Sequence, residues 1–312
     1  MMRIIEGTTE FQIKEETAVA IGKFDGFHVG HQTLLKAVME HKKQGMKVAI
    51  FTFWPSPACL FSREKFKELT TREEKRQIFR QAGVDILVEF PFNEQSAAIS
   101  PEDFVEDILL NKMNAKCIVA GDDVSFGHRG AGDASLLYKL SEELGYQVEI
   151  IEKVSFSGRE ISSTYVRDVI RQGDMKLAST LLGTPFHING VISHGKQLGR
   201  TLGMPTANLY PEEEKLLPPY GVYYVRADIE GVKYKGICNI GEKPTVTDEK
   251  SVSVETYLYD FSGDVYGKEM TVELLEFKRP EQRFSGVEAL KKQMEKDIAE
   301  GAAYQYLESR IS

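Results

Sequence analysis

The stretch AIGKFDGFHVGHQTLL, residues 20–35, joins a short apolar run to the first turn of an apolar helical pattern. Its closely spaced glycines permit close approach of the backbone to a ligand. The helix that begins near Gly30 presents free N–H groups and a partial positive charge, an arrangement that binds phosphate. His28 and His31 share one face of that first turn, so both imidazoles can donate hydrogen bonds to an anion.

Short β-rich runs alternate with amphipathic helical segments up to about residue 154, a rhythm typical of βαβ units around a parallel sheet. The predicted strands are TAVAIG, KVAIFTF, VDILVEF, AKCIVAG and YQVEII. Thr71 with Glu74 reads as a capping box, Ser100–Pro101 opens a helix and Gly145 ends one. The first half is therefore predicted to be an α/β domain, in which ligands bind at the carboxyl ends of the strands.

After about residue 185 the pattern changes to strands bounded by turns, which predicts an antiparallel sheet or barrel. These strands are HINGVIS, GVYYVRADI, VKYKGICNI, VSVETYLYDF and EMTVELLEF. Glu230–Gly231 offers a tight hairpin between two of them. Gly183 can stop a helix and Pro185 resists its continuation, which predicts two domains, 1–184 and 185–312.

A helix is predicted from Ser285 to about Glu300, because apolar residues recur there at helical spacing. The apolar stripe consists of Val287, Leu290, Met294 and Ile298. We expect this stripe to pack on the barrel and the charged residues of the helix to face solvent.

Composition limits the classes of function. The chain has 312 residues, of which 42% are hydrophobic, enough for two domains of ordinary size. A net charge of -8 and a pI near 5.5 argue against a general nucleic-acid or anionic-membrane surface. The three cysteines, Cys59, Cys117 and Cys238, form no CxxC pair, which disfavours a disulfide framework or a zinc cluster.

Targeting signals are absent from the pattern as well. The N-terminal run lacks the apolar core of a signal peptide, and no segment approaches the roughly 18 apolar residues of a membrane span. We therefore expect a cytoplasmic protein with no membrane partner. Zinc binding by His28 and His31 is an alternative, although spacing suggests no third ligand.

The motif GKFDGFHVGH, residues 22–31, resembles the GxFDGxHxGH signature of the HxGH nucleotidyltransferases, which transfer a nucleotidyl group and release pyrophosphate. AGDDVSFGHRGAGD (120–133) and ISSTYVRDVIRQGD (161–174) resemble motifs of the flavin-nucleotide branch. GVISHGKQLGRTLGMPTANLYP (190–211) resembles the ATP-binding segment and PTAN motif of riboflavin kinases. A further stretch, SVETYLYDFSGDVYGKEMTVELLEFKRPEQRF, also resembles those kinases. Together the motifs cover nearly the whole chain and resemble the bifunctional bacterial riboflavin kinase/FMN adenylyltransferase family.

For the first half, the resemblance implies a Rossmann-like nucleotidyltransferase domain in which His28 and His31 stabilise the α-phosphoryl transition state. It assigns nucleotide binding to Gly22, Phe24, Asp25, Gly26, Gly30, Ser162, Ser163, Thr164 and Arg167. It assigns flavin binding to Asp123 and Phe126. An ordinary helix cap at 162–167, and turn roles for Asp123 and Asp133, remain open as alternatives.

For the second half, the resemblance implies a riboflavin kinase barrel with a C-terminal helix. It assigns ATP phosphates to Gly195, Lys196, Gly199 and Arg200, and the flavin to Arg279 and Phe284. Thr206 and Asn208 would hold Mg²⁺, since hydroxyl and carbonyl oxygens suit a hard cation. Glu255 would be the general base. A plain barrel loop, an exposed glutamate, a surface arginine and a core phenylalanine are the structural alternatives.

The substrates and cofactors implied are ATP, Mg²⁺ and the flavins riboflavin, FMN and FAD, with no nucleic-acid partner and the oligomeric state left open. Trp54, Ser56, Val124 and Tyr257 depart from the types usual in the family, and core packing is the favoured interpretation of Trp54. The departures leave alternatives: a paralogue with one activity, or a flavin-binding regulatory protein. The HxGH stretch alone also permits another phosphorylated acceptor in place of FMN.

Overall fold

The computed structural model of the chain describes residues 1–61, 66–194, 201–244 and 250–304. The chain divides into two compact units, Met1–Ser163 and Thr164–Ser312. By this division the residues just before Pro185 pack with the second unit. The domain limits 1–184 and 185–312 stay a prediction.

The first unit is built on a six-stranded parallel sheet. Its strands are β1 (Arg3–Glu6), β2 (Thr17–Ile21), β3 (Lys47–Trp54), β4 (Ile86–Pro91), β5 (Ala115–Gly121) and β6 (Gln147–Ile151). The order across the sheet is β1-β4-β3-β2-β5-β6, and each neighbouring pair is parallel. The five predicted strands and the α/β class are confirmed, whereas the edge strand β1 was not predicted.

The order of the sheet reverses between β2 and β5. From β2 the chain proceeds to β3 and β4 on one side, whereas β5 and β6 lie on the other. The carboxyl ends of strands at such a switch point form a crevice that binds ligands in open α/β sheets. The histidine loop directly follows β2, and Asp122 and Asp123 directly follow β5.

Helices cover the sheet. They are α1 (Val29–Glu40), α2 (Pro57–Phe61), α3 (Arg72–Ala82), α4 (Glu94–Ala97), α5 (Pro101–Asp103) and α6 (Ala134–Leu144), with a π-helix over Phe104–Lys112 and 3-10 turns at His41–Gln44 and His128–Gly130. The predicted capping box is present, because the Thr71 side chain accepts from the Glu74 N–H and the Glu74 carboxylate accepts from the Thr71 N–H. Ser100 caps α5, and Gly145 ends α6 with a φ of 75°.

The described residues of this unit form two hydrophobic clusters, which involve different sets of helices. One contains Leu34 and Val38 of α1 with Phe79 of α3. The other contains residues of the π-helix and Leu137 of α6. Every residue of β2 is buried, as expected for a central parallel strand covered on both faces. The unit also carries a short hairpin of β7 (Ser155–Phe156) and β8 (Arg159–Glu160).

The second unit contains an antiparallel sheet. Its elements, beginning with the helix that spans the boundary of the units, are α7 (Ser163–Gln172), α8 (Met175–Leu182), β9 (Phe186–Val191), β10 (Ala207–Leu209), β11 (Gly221–Ile229), β12 (Val232–Pro244), β13 (Lys250–Leu258), β14 (Glu269–Pro280) and α9 (Val287–Ala302). The strand order is β10-β13-β12-β11-β14-β9. The two edges meet where the Ser193 N–H donates to the Asn208 carbonyl at 2.8 Å, as in a barrel. The predicted antiparallel fold and C-terminal helix are confirmed.

Helix α9 packs on the sheet differently from the prediction. Val287 is 54% exposed, and the buried residues of α9 are Asp297 and Gly301. Asp297 accepts hydrogen bonds from the Arg279 Nε at 3.1 and 3.2 Å, and it lies 3.3 Å from the Lys278 Nζ. The expectation that the charges of this helix face solvent is therefore wrong for Asp297.

The pKa of Asp297 reflects this setting. Burial alone would raise it, but hydrogen bonds from Arg279 and Gln293, with the charges of Arg279 and Lys278, hold it below its ordinary value. An ionised carboxylate thus joins α9 to β14.

We predict that Asp297→Ala lowers the free energy of unfolding of the second unit by about 2 kcal/mol, because Arg279 and Lys278 lose a buried carboxylate while Lys278 keeps Glu300. Urea unfolding followed by circular dichroism measures the change. The single tryptophan, Trp54, lies in the first unit, so its fluorescence transition should stay in place. Glu295→Gln, on the exposed side of the same helix, is the matched control. Equal unfolding curves for the two variants would contradict the prediction.

Candidate active sites

His28 and His31 form a stacked pair at the switch point of the parallel sheet. Their ring centroids are 3.8 Å apart and the rings are inclined by 19°. His28 is the N-cap residue of α1 and is buried, and His31 is half-buried in the first turn. The Nδ1 atom of each ring is buried and has no hydrogen-bond partner among the described residues.

Both imidazoles are neutral at neutral pH. Burial lowers the pKa of His28 to about 4, against the opposing charges of Asp25 and Asp123. The pKa of His31 lies well below its ordinary value because of burial first, then the charges of His28 and Lys75. An anion that approaches the pair favours protonation of the rings, so each ring is able to become a charged donor when a phosphate binds.

Asp25 holds the histidine loop against the segment before α3. Its Oδ1 accepts from the N–H groups of Leu69 at 2.8 Å and Thr70 at 3.3 Å. The Gly26 N–H donates to the Thr70 Oγ1 at 3.0 Å, and the Ser163 Oγ donates to the Asp25 carbonyl at 2.7 Å. Two of the predicted nucleotide-binding residues, Asp25 and Ser163, therefore fix the loop itself.

Three glycines of the loop lie where a side chain would meet its neighbours, and one of them also needs a left-handed backbone. Gly26 has a φ of +84°, and a Cβ there would lie 2.7 Å from the Leu69 Cδ1. A Cβ at Gly30 would lie 3.2 Å from the His28 ring. Gly22 is similarly close to Phe24, at 2.9 Å from the ring. These positions permit the ring stacking and the tight turn that side chains would obstruct.

Phe24 and Phe126, predicted to bind nucleotide and flavin, have their rings in the hydrophobic cores. Phe24 is 0% exposed and its ring centroid lies 5.3 Å from that of Phe79. Phe126 is 4% exposed and lies 5.5 Å from Phe104. The buried rings leave only the backbone of these residues for contact with a ligand.

Other predicted residues of the first site are distributed as follows. Asp123 is exposed, and its Oδ2 lies 3.6 Å from the Lys153 Nζ. Asp133 caps α6, because its Oδ1 accepts from the Leu136 N–H at 2.9 Å. Ser162 immediately precedes α7, and Thr164 and Arg167 belong to the second unit by packing. Their binding roles stay predictions.

In the second unit, the strand register brings three polar residues together. Asn208 on β10 and Asn239 on β12 each lie directly opposite Glu255 on β13. Opposed residues of antiparallel strands project to the same face with their Cβ atoms about 5 Å apart. The predicted base and one predicted metal ligand are therefore neighbours.

Asn208 has the features of a metal ligand. It is 4% exposed, and its Nδ2 donates to the Thr206 carbonyl at 3.1 Å. That bond turns the Oδ1 away from Thr206, and the Oδ1 is buried without a hydrogen-bond partner among the described residues. A buried amide oxygen of this kind fits a hard cation such as Mg²⁺.

Of the remaining predicted residues of the kinase site, two lie among the described residues and four do not. Arg279 is paired with Asp297, and Phe284 is half-buried between β14 and α9. Gly195, Lys196, Gly199 and Arg200 lie outside the described residues. Tyr257, a departure from the family pattern, contacts Tyr259 edge-on at 5.5 Å.

Trp54 is not a core residue. It is partly exposed, and the Arg72 guanidinium carbon and the Lys75 Nζ lie 4.9 and 5.7 Å from its ring centroid. The interpretation of Trp54 as core packing is therefore wrong. Ser56 precedes α2, and its carbonyl accepts from the Cys59 N–H at 2.8 Å. Val124 packs against a core, as a smaller side chain in place of an aromatic.

Sequence reasoning missed the segment that supports the histidine loop. This segment lies about 40 residues further along the chain than the loop. It contains Leu69 and Thr70, which donate to Asp25, and the ion pair of Glu68 and Lys75. The capping box at Thr71 showed where α3 begins, but no local pattern connects that start with Asp25.

A parallel sheet with two histidines at its switch point, followed by an antiparallel barrel unit, defines the first unit as an HxGH nucleotidyltransferase fold. The comparisons agree. The family model described as FAD synthetase matches residues 10–165, and that described as riboflavin kinase matches residues 182–305. The chain belongs to the bifunctional riboflavin kinase/FMN adenylyltransferase family.

Relatives support this membership, and one solved structure shares the fold. The chain is 36% identical over 304 residues to the bifunctional riboflavin kinase/FMN adenylyltransferase of Bacillus subtilis (strain 168), covering 94% of each chain. It is 36% identical to the Escherichia coli (strain K12) protein of the same name, covering 95% of this chain and 96% of that one. A crystal structure described as a macrolide-efflux protein from Streptococcus pneumoniae matches with a TM-score of 0.84 and 29% identity, covering 97% of this chain and 99% of that one. Within the described ranges, no helix is both long and apolar enough to cross a membrane.

We predict that the first unit loses stability as the pH falls from 6.5 towards 4. His28 has a folded pKa of about 4 against an ordinary value of 6.5, so the unfolded chain binds its proton first. The stabilisation is complete above pH 6.5, and about 3 kcal/mol of it is lost by pH 4. Urea unfolding followed by Trp54 fluorescence at several pH values measures the loss. His28→Gln should flatten the profile, and parallel profiles for the two proteins would refute the assignment.

Proposed function

We propose that this chain makes FAD from riboflavin in two ATP-dependent reactions. The second unit phosphorylates riboflavin to FMN, and the first unit adenylylates FMN to FAD with release of pyrophosphate. The observation that carries the proposal is the presence, in one chain, of the stacked histidine pair and of the Asn208–Glu255 pair. Both family models, matched in the same order, support it.

In the adenylylation reaction, an oxygen of the FMN phosphate attacks the α-phosphorus of ATP in line, and the bond to pyrophosphate breaks. His28 and His31, stacked in the first turn of α1, donate hydrogen bonds to the phosphates. Because negative charge builds up on the α-phosphoryl oxygens, imidazoles that gain a proton as the anion binds stabilise the transition state. Positioning and electrostatics account for most of the catalysis of such transfers.

In the kinase reaction, a ribityl hydroxyl of riboflavin attacks the γ-phosphorus of ATP, and ADP leaves. Glu255 accepts the proton of that hydroxyl as general base. Thr206 and Asn208 would hold Mg²⁺, and the orphaned Oδ1 of Asn208 supports this role. Mg²⁺ supplies neutralisation of phosphate charge. Asn208 and Glu255 project from paired positions, so the metal ligand and the base act on the same substrate complex.

The departures from the family pattern leave these groups in place. Trp54, Ser56 and Tyr257 supply neither the predicted phosphate donors nor the predicted base. This favours retention of both activities over a regulatory flavin-binding role. A cytoplasmic location is part of the proposal, supported by three cysteines that are all free.

The direct test is a time course of the purified protein with riboflavin, ATP and MgCl₂, and separately with FMN in place of riboflavin. Chromatography with flavin fluorescence separates the products. FMN followed by FAD is the expected result. The absence of both products would overturn the proposal, and FAD from FMN alone would restrict it to the first unit. FMN should also be preferred over other phosphorylated acceptors.

We predict that His31→Ala lowers FAD formation by at least about a hundredfold and leaves FMN formation intact, since a transition-state donor is lost from the first unit only. Glu255→Ala should produce the reverse. The two reactions in the same preparation serve as controls for each other. An exchange of the two phenotypes would refute the assignment of activities to units.

We predict that Asn208→Ala raises the Mg²⁺ concentration needed for half-maximal FMN formation by about tenfold or more, because a first-sphere oxygen is removed. The Mg²⁺ dependence of FAD formation should not change. Glu295→Gln, on the exposed side of α9 in the same unit, is the control. Unchanged Mg²⁺ dependence of both reactions in Asn208→Ala would remove Asn208 from the metal site.

A further inference from the structure

A buried ion pair lies beside the histidine loop and has no part in the mechanism above. The Lys75 Nζ lies 2.8 Å from the Glu68 Oε2, and the two side chains are 7% and 2% exposed. The Lys75 Nζ also lies 5.7 Å from the Trp54 ring centroid. An ammonium group has three N–H donors, and the described residues give Lys75 one hydrogen-bond acceptor.

Both members of the pair are fixed to the histidine loop through their neighbours in the chain. Glu68 immediately precedes Leu69 and Thr70, whose N–H groups the Asp25 carboxylate accepts. Lys75 lies one helical turn before Phe79 on α3, and residues four apart share a helix face.

That face of α3 contacts the loop. The Phe79 ring lies 5.3 Å from Phe24 and 5.8 Å from Phe27, and Phe24 lies 5.3 Å from the His31 ring. Lys75 therefore lies on the side of α3 that faces the histidine pair.

Stability alone does not account for a buried ion pair here. Removing two charges from water is costly, and apolar residues of similar volume often stabilise a protein as well or better. The charge of Lys75 acts on His31, since it is one of the causes that lower the pKa of His31, after burial and the charge of His28.

We propose that Lys75, held between the Glu68 carboxylate and the Trp54 ring, is a positioning residue of the adenylyl-transfer site that supplies a fixed positive charge behind His31. The inference rests on the proposed function of the first unit. The anionic phosphates of ATP then bind in front of the His31 ring, with the positive charge of Lys75 behind it. Trp54, which departs from the family pattern, then contacts this cation through its ring.

Several other charged or titratable groups surround the two histidines and contribute to their protonation. Asp25 in the loop and Asp123 after β5 act on His28, whereas Glu68 before α3 and Cys59 on α2 lie near Lys75, since the thiol pKa of Cys59 responds to burial, then to Glu68 and Lys75. The test must therefore change the charge of Lys75 without leaving Glu68 ionised and unpaired.

The test compares Glu68→Gln/Lys75→Met with Glu68→Gln alone, in the full chain. The double variant removes both charges, so no uncompensated buried charge remains. The single variant removes the carboxylate and keeps the cation. Lys75→Arg is the conservative replacement, and Lys36→Met removes an exposed lysine charge from α1 as a control.

Two readouts are needed. The first is kcat and KM for ATP in the conversion of FMN to FAD, with riboflavin phosphorylation measured in the same sample. The second is the NMR titration of the His31 ring proton without substrate, assigned with His31→Gln.

We expect the double variant to lower kcat/KM for ATP by about tenfold in FAD formation and to raise the pKa of His31 by about one, the effect of one neighbouring charge. Lys75→Arg and Lys36→Met should stay within about threefold of the natural protein, a margin well below the tenfold effect expected of one charge. Glu68→Gln, which keeps the cation but removes its carboxylate partner, should lose less activity than the double variant and should not raise the pKa of His31. Equal losses in the single and double variants, or wild-type kinetics and an unchanged His31 titration in the double variant, would overturn the inference. If the natural protein forms no FAD, the proposed function fails, and the His31 titration still decides whether Lys75 acts on His31.

Discussion

The hydrogen bonds between the Asp25 carboxylate and the N–H groups of Leu69 and Thr70 are the constraint on which the first site depends. The histidine loop leaves β2 through a run of glycines, which by themselves give the backbone more freedom than a catalytic loop tolerates. A charged acceptor that receives two backbone donors removes this freedom. With the loop fixed, His28 caps α1 and its ring stacks on His31. Replacement of Asp25 would therefore disturb the two histidines, although the Asp25 side chain makes no hydrogen bond to the Nδ1 atom of either ring.

The sequence predicted most of the fold because the elements that form it carry local signals. Buried parallel strands such as β2 read as continuous apolar runs, and α3 begins at a capping box. Among the elements missed, β1 and β10 have four and three residues, too few for a period to appear. The prediction of which face of α9 packs on the barrel failed for a different reason. Its apolar spacing was real, but an ion pair from Asp297 to Arg279 and Lys278 determined which face packs.

The candidate sites were predictable in part. The histidine pair and the Thr206–Asn208 segment come from contiguous motifs, so resemblance found them. Partners that are distant in sequence did not appear. Nothing local connects Asp25 with Leu69, and nothing local indicates that Asn208 and Glu255 are paired across β10 and β13. Phe24 and Phe126 show the opposite limitation, because a motif includes residues that support its loop as well as residues that bind.

The two sites share one physical principle. Each contains buried polar atoms that have no hydrogen-bond partner among the described residues, Nδ1 of His28 and His31 in one and Oδ1 of Asn208 in the other. A buried polar atom left unpaired costs about 1–3 kcal/mol in the free protein. Ligands of the right charge remove this cost, an anion for the imidazoles and a cation for the amide oxygen. Binding energy is thus available from groups already held in position, which limits the entropy lost on binding. The same reasoning applies to the proposed binding of polyphosphate by an acidic chain, because the local placement of the two histidines and of Lys75 matters more than the net charge of -8.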